Sequence, residues 1–212
     1  MHRTIYDTPG VCTVMRWISL IGLRLTGWKC EGERPEAPKY VLVAAPHTSN
    51  WDWVVFMAMV FAYRARLYYM VKDNLFRGIK GPIFRWLGGI PIDRSRNTGV
   101  VDQMVEQFNK ADRLELAIPV EGTRRPVEKW KTGFYHVAHK AQVPIVMGYL
   151  DFGNKVGGFG PAFMPSGDIE KDIVICQEFY GGMQGKNPEW MSPIRVSVPE
   201  ESKTGDAPRD DA

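Results

Sequence analysis

The sequence predicts an α/β fold: a single domain with a mixed central sheet and helices on both faces, preceded by an N-terminal amphipathic helix. Two observations carry that prediction. Short apolar, strand-like runs alternate with longer helix-patterned segments from Tyr40 to Leu150, the pattern of crossover connections in a layered sheet. The polar residues best suited to chemistry, His47, Arg94 and Glu121 to Arg124, fall just past the ends of such runs, where ligands collect in open sheets of this kind.

Taken in order, Val11 to Gly27 reads as an amphipathic helix, with Val14, Trp17, Ile18, Ile21 and Leu25 at three-to-four spacing and arginines between them. Its apolar stripe with Trp17, set in a basic stretch, fits an in-plane membrane anchor; taken alone, it fits better a core helix packed on a sheet. Pro35 and Pro38 mark a linker. Tyr40 to Ala44 is a strand, and the apolar run Trp53 to Tyr63 a helix. Leu67 to Val71 is a strand ending at Lys72, and Leu75 to Leu87 is helical despite Gly78, Gly81 and Pro82. Gly88 to Arg94 is a turn and a very short strand. Thr98 to Asn109 is a helix, Leu114 to Val120 a strand, Thr132 to Ala141 a helix and Val143 to Leu150 a strand. Gly153 to Gly160 is glycine-rich without a following Lys-Ser/Thr or a GxGxxG pattern, so a loop is expected rather than a phosphate cradle. Ile169 to Tyr180 fits a helix, or a strand with a turn. The organisation expected is residues 1–38 for helix and linker, 39–198 for the domain, and 199–212 for a disordered acidic tail.

Composition bounds the function. A chain of 212 residues fits one domain. Cys12, Cys30 and Cys176 are odd in number and form no CxxC pair, which argues against a disulfide framework or a zinc site and for a reducing, cytosolic side. The formal charge of +3 divides into −3 on residues 199–212 and +6 on the body. A basic body suits an anionic partner, whether a phosphate ligand, an anionic lipid surface or nucleic acid. No signal peptide is visible, and the longest apolar run, Trp53 to Tyr63, has eleven residues against the roughly twenty that a spanning helix needs.

The stretch Ala45-Pro46-His47-Thr48-Ser49-Asn50-Trp51-Asp52 sits at a strand-to-helix junction. In it, a histidine is separated by four residues from an aspartate. The carboxylate can accept the imidazole N–H, fix the tautomer and leave the other ring nitrogen free to take a proton. Regular helix throughout would hold the two side chains roughly 140° apart, so the pairing requires His47 in the turn and Asp52 in the first helical turn. The same letters also read as a cap: Ser49 is a good N-cap, and Asp52, three residues on, completes a capping box. Arg94 and Arg124 suit a phosphate, and Gly122 and Thr123 let backbone and hydroxyl approach the same anion. Together these segments describe group transfer to an alcohol on a phosphorylated molecule. With no nucleophilic Ser or Cys in a suitable elbow, direct attack by the acceptor hydroxyl is simpler than a covalent acyl-enzyme. His136 and His139 could hold a metal, but no third ligand is near in sequence. Lys72 reads as a phosphate contact or a solvated strand end.

At these residues, over roughly 40 to 150, the chain resembles the glycerolipid acyltransferases, the family that includes 1-acylglycerol-3-phosphate acyltransferase. HTSNWD matches the family's His-x4-Asp block, which implies His47 as general base and Asp52 as its orienting partner. GGIPIDR matches a second block, with Arg94 implied at the acceptor phosphate. EGTR matches a third, implying Glu121, Gly122, Thr123 and Arg124 in acceptor binding. Val143-Pro144-Ile145-Val146 looks like the fourth, which lines the acyl pocket. Two departures stand out: Val120 where the family has Pro before the glutamate, and Met147 where it has a second Pro. The resemblance implies an O-acyltransferase acting on a lysophospholipid, most simply 1-acylglycerol-3-phosphate. Acyl-CoA or acyl-ACP would be co-substrate, with acyl carrier protein as a potential partner, no cofactor or metal, and no nucleic acid. The implied location is the cytoplasmic face of an anionic membrane, as a peripheral protein. Rival readings are another acceptor, such as a lyso-ornithine lipid or a specialised metabolite, and a non-catalytic anionic-lipid binder.

Overall fold

The computed structural model describes residues 3–93 and 99–196. Expectations that concern Arg94, the start of the predicted Thr98 helix and the tail 199–212 lie outside the described residues. The chain runs α1 (Val11–Thr26), β1 (Lys29–Glu31), β2 (Lys39–Ala45), α2 (Asn50–Ala62), β3 (Leu67–Lys72), α3 (Lys80–Trp86), β4 (Gly89–Ile92), α4 (Val100–Lys110), β5 (Leu114–Pro119), α5 (Gly133–Ala141), β6 (Ile145–Asp151), β7 (Val156–Phe163) and α6 (Ile169–Tyr180). The strands form one sheet in the order β1-β7-β6-β2-β5-β3-β4. Pairing is parallel except where β7 meets β6, so the predicted mixed α/β sheet is what forms.

Strand alternation builds the two layers. In β2, Val41 and Val43 face a core closed by Phe108 of α4, Phe134 of α5 and Cys176 of α6, whereas Tyr40 and Leu42 face Val60 and Phe61 of α2 on the other side. Because β2 is buried on both faces, it reads as a continuous apolar run rather than an alternating one. Helix α2 is apolar all round because the sheet covers one side and α1 packs on another. Helix α1 is different. It buries Ser19 and Leu23 but leaves Trp17 at 63% and Leu25 at 82% exposure, with Val14, Ile18 and Ile21 also open. Its stripe is therefore not covered by the sheet.

A buried acid ties the linker to the amino end of the sheet. Glu115 is 2% exposed, ion-pairs with Arg34, and accepts hydrogen bonds from Tyr40 Oη at 2.8 Å and the Arg66 N–H at 3.0 Å. A charge at that depth is tolerated only when paired and hydrogen-bonded.

Two expectations change and one open alternative resolves. Gly153 to Gly160, expected as a loop, is a tight turn followed by β7. Its glycines serve close backbone approach: a Cβ on Gly158 would lie 2.0 Å from the Glu31 carbonyl oxygen. The predicted Leu75 to Leu87 helix is broken into a 3-10 turn, Asp73–Phe76, and α3, with Gly78 at φ 65° between them. Pro82 falls in the first turn of α3, where a missing N–H costs nothing. Ile169 to Tyr180, left open between helix and strand, is the helix α6, and Asp168 caps it by accepting from the Lys171 N–H.

Candidate functional site

The register of the central strands brings the site together. Ala44 of β2 pairs with Pro119 of β5, and Ala45 pairs with Tyr149 of β6. The segments leaving β2 and β5, which carry His47 and Glu121, therefore emerge side by side at the carboxyl edge of the sheet. Between Ala45 and Pro46 the peptide is cis.

His47 lies in the turn and Asp52 in the first turn of α2, as the pairing requires. His47 Nδ1 is 3.1 Å from Asp52 Oδ2. The same oxygen accepts the backbone N–H groups of Thr48 at 2.7 Å and Ser49 at 2.8 Å. Ser49 in turn caps the helix through Oγ to the Trp51 N–H. Orienting carboxylate and capping box are thus one arrangement rather than alternatives. Asp52 is 4% exposed, and its Oδ1 is buried without a hydrogen-bond partner among the described residues. The Nδ1 contact leaves Nε2 of the half-buried His47 as the nitrogen available to a substrate proton.

Glu121 was expected to bind the acceptor. Its side chain turns inward: it is 2% exposed, and Oε2 accepts the His47 backbone N–H at 2.9 Å. Burial pushes the carboxyl up to about 7; the nearby Asp52 charge adds to the rise, and the His47 hydrogen bond opposes it. Gly122, Thr123 and Arg124 follow on the exposed surface. Gly122 has φ 66°, a left-handed turn that most residues would strain to adopt, and that turn lets the chain pass from a buried carboxylate to an exposed Arg124 in three residues.

Beside His47 lies a small apolar cavity of about 90 Å³, walled by Trp53 and Phe56 of α2, Pro119 of β5, and Gly148, Tyr149 and Leu150 of β6. Val143, Pro144 and Ile145, expected to line the acyl pocket, are not among its walls. They stand at the opposite, amino end of β6, with Val143 and Ile145 buried in the core against α4 and α5. The cavity is lined from the other end of the same strand. Trp53 also borders a second, larger apolar groove of about 680 Å³ between α1 and α2, with Lys155 and Lys186 among its lining. A polar cleft of about 530 Å³ opens at the other end of the sheet, around Arg3, Arg66 and Arg113; it shares no residue with the His47 turn.

Sequence reasoning missed a clasp from the C-terminal part of the chain. Asn187 Nδ2 donates to the Thr48 carbonyl at 2.8 Å, and the Asn187 N–H donates to Thr48 Oγ1 at 3.1 Å. Thr48 is wholly buried. The Lys186 ammonium sits 5.4 Å above the Trp51 ring. No local pattern around Asn187 announces this, because the contact spans 139 residues. Elsewhere, His136 and His139 flank Tyr135, with His139 stacked on its ring. Among the described residues no group of three or more His, Cys, Asp or Glu is placed to hold a metal ion, and no helix is long and apolar enough to cross a membrane.

A family model described as Acyltransferase matches residues 28–148, a span that holds His47, Asp52 and Glu121 to Arg124 and ends before Asn187. No curated protein matches the chain. Among solved structures, the 1-acyl-sn-glycerophosphate (LPA) acyltransferase PlsC from Thermotoga maritima is similar, with a TM-score of 0.55 and 17% identity over 83% of this chain and 82% of that one. At that identity the likeness shows a shared fold.

Proposed function

The chain belongs to the Acyltransferase family, and from that premise we propose that it moves a fatty acyl group from acyl-CoA or acyl-ACP to the free hydroxyl of a lysophospholipid, with 1-acylglycerol-3-phosphate as acceptor. The observation that carries the reading is the His47 Nδ1 to Asp52 Oδ2 contact beside an apolar cavity at the carboxyl edge of the sheet. His47 Nε2 takes the acceptor hydroxyl proton as the oxygen attacks the thioester carbonyl. The tetrahedral intermediate collapses with cleavage of the C–S bond, and the imidazolium returns the proton to the leaving thiolate. Asp52 fixes the tautomer and stabilises the imidazolium. The transfer consumes a thioester and calls on no metal or cofactor.

Gly122, Thr123 and Arg124, exposed directly after Glu121, are assigned to the acceptor phosphate, and Arg94 joins them on the resemblance alone. Glu121 holds the His47 backbone rather than the substrate. The cavity at Gly148, Tyr149 and Leu150 takes the reacting end of the acyl chain, in place of Val143 to Ile145. Substrates that partition into a bilayer call for an enzyme held at its surface, and the open stripe of α1 with its arginines supports peripheral attachment to the cytoplasmic leaflet.

The test is acyl transfer by the purified full chain, with acyl-CoA and acyl-ACP offered separately against several lyso-acceptors, including 1-acylglycerol-3-phosphate and a lyso-ornithine lipid. Thioester-dependent diacyl product, fastest with 1-acylglycerol-3-phosphate, is expected. Product only with a different acceptor would reassign the substrate. No product with any acceptor would leave a non-catalytic anionic-lipid binder.

A further inference from the structure

Large apolar side chains left open to solvent are not scattered over the molecule. Among the described residues twelve of fifteen lie on three segments: Val14, Trp17, Ile18, Ile21 and Leu25 on α1; Trp51, Trp53 and Val54 on α2; Leu75, Ile79, Ile83 and Trp86 on α3 and the turn before it. Concentration of that kind marks an interaction surface. The third group is the unexpected one. Ile79 is 90% exposed and Ile83 52%, while Phe76 is buried and Phe84 half-buried, their rings meeting at 6.1 Å. Ile79 at the N-cap of α3, Ile83 and Trp86 lie at spacings of four and three on one helix face, and Leu75 stands exposed in the 3-10 turn before it. The segment thus turns an apolar face both to the protein and to the outside.

Charge says what the outer face meets. From Lys72 to Trp86 the sequence carries Lys72, Arg77, Lys80 and Arg85 against Asp73 alone, and all four cations are exposed. An apolar stripe rimmed by cations is the pattern of a helix lying in an anionic bilayer surface. A second copy of the chain is a poorer occupant, since a two-fold contact here would bring the same cations of both copies together.

Topology places this stripe beside α1. The crossovers β2–α2–β3 and β3–α3–β4 advance toward the same edge of the sheet, so right-handed connections put α2 and α3 on one face. The Trp86 indole N–H donates to Thr8 Oγ1 at 2.9 Å, tying α3 to the segment that leads into α1. We infer that Leu75, Ile79, Ile83 and Trp86 form a second bilayer-inserting surface, for an anionic lipid membrane, that works together with the α1 stripe. The inference rests on the peripheral reading above. Two separated contacts fix the tilt of the domain on the membrane, which one helix cannot do.

The test compares the wild-type full chain with Trp17→Asp/Ile21→Asp, Ile79→Asp/Ile83→Asp and Arg77→Gln/Lys80→Gln in co-sedimentation with mixed phosphatidylcholine–phosphatidylglycerol vesicles across a salt series, alongside melting curves and light scattering. Losing two inserted isoleucines should weaken vesicle binding by at least about tenfold with the melting temperature unchanged, and the charge variant should flatten the salt dependence. If the wild type binds, the α1 variant does not, and Ile79→Asp/Ile83→Asp binds as wild type, α1 is the whole anchor and the inference falls while the peripheral reading stands. If the wild type itself does not bind, both fall. If Ile79→Asp/Ile83→Asp instead turns a dimer into a monomer with vesicle binding intact, a second copy covers this face and the inference is overturned. Should that variant lose its melting transition, the charge variant decides, and an unchanged salt dependence overturns the inference.

Discussion

His47 Nδ1 and Asp52 Oδ2 stand 3.1 Å apart, and that one oxygen also receives the backbone N–H groups of Thr48 and Ser49. Capping and orientation are therefore inseparable at Asp52, and the two roles have to be read from different measurements. If His47 is the base, His47→Ala should lower turnover by about 10²–10⁴ with the melting temperature near wild type. Asp52→Asn keeps an oxygen for the cap but loses the charge that stabilises an imidazolium. A loss of stability of about 1 kcal/mol or less should accompany a large loss of turnover. Turnover retained in both variants would remove the dyad from the mechanism.

Glu121 gives a prediction in pH. Its carboxyl ionises near pH 7 in the folded protein and near the ordinary 4.5 when unfolded, so between those values the native state holds the extra proton. Stability contributed by the protonated form is then lost as pH rises through that window. Glu121→Gln keeps an acceptor for the His47 N–H without the charge. It should leave stability near wild type at pH 4.5 and raise it at pH 8, by at most about 3 kcal/mol. Thermal melts at the two pH values check this, and equal effects at both would mean that Glu121 is not held against its charge.

Much of this was legible in residue order. The strand-to-helix junction at His47 required the imidazole in the turn and the carboxylate in the first helical turn, and spacing alone dictates that. Long-range register was not legible. The wall of the cavity at Gly148 to Leu150 depends on Ala45 pairing with Tyr149, a long-range register that the letters from Val143 to Ile145 do not show. Asn187 was invisible because nothing local distinguishes it. For Glu121, the letters EGTR do not say that the chain turns at Gly122, so the burial of its carboxylate is not legible in them. Orientation of the α1 stripe also stayed open, since an apolar stripe looks the same whether a sheet or a membrane covers it.

Arg124 is exposed, so its removal should cost the fold little. If it holds the acceptor phosphate in ground and transition states alike, Arg124→Ala should raise the acceptor KM with little change in kcat or in the thioester KM. Arg94→Ala should do the same on the strength of the resemblance. A raised thioester KM with the acceptor unaffected would move these arginines to the donor.

The clasp from Asn187 offers the remaining prediction. Two hydrogen bonds hold Thr48, the residue between His47 and the cap, from a segment beyond the family match. If they set the angle at which the imidazole meets the acceptor hydroxyl, loosening them should lower kcat without touching KM, because misplacement by a fraction of an ångström weakens only what is formed in the transition state. Asn187→Ala deletes one bond and should cost about threefold to tenfold in kcat, on the order of one neutral hydrogen bond. Asn187→Asp should do worse, since a carboxylate would face the Thr48 carbonyl with no proton to offer. Thr48→Val removes the other acceptor at constant shape, and the double variant Asn187→Ala/Thr48→Val should lose less than the product of the two single effects, because both act on one turn. If kcat holds while the melting temperature drops, the clasp is a structural strap and His47 keeps its place without it.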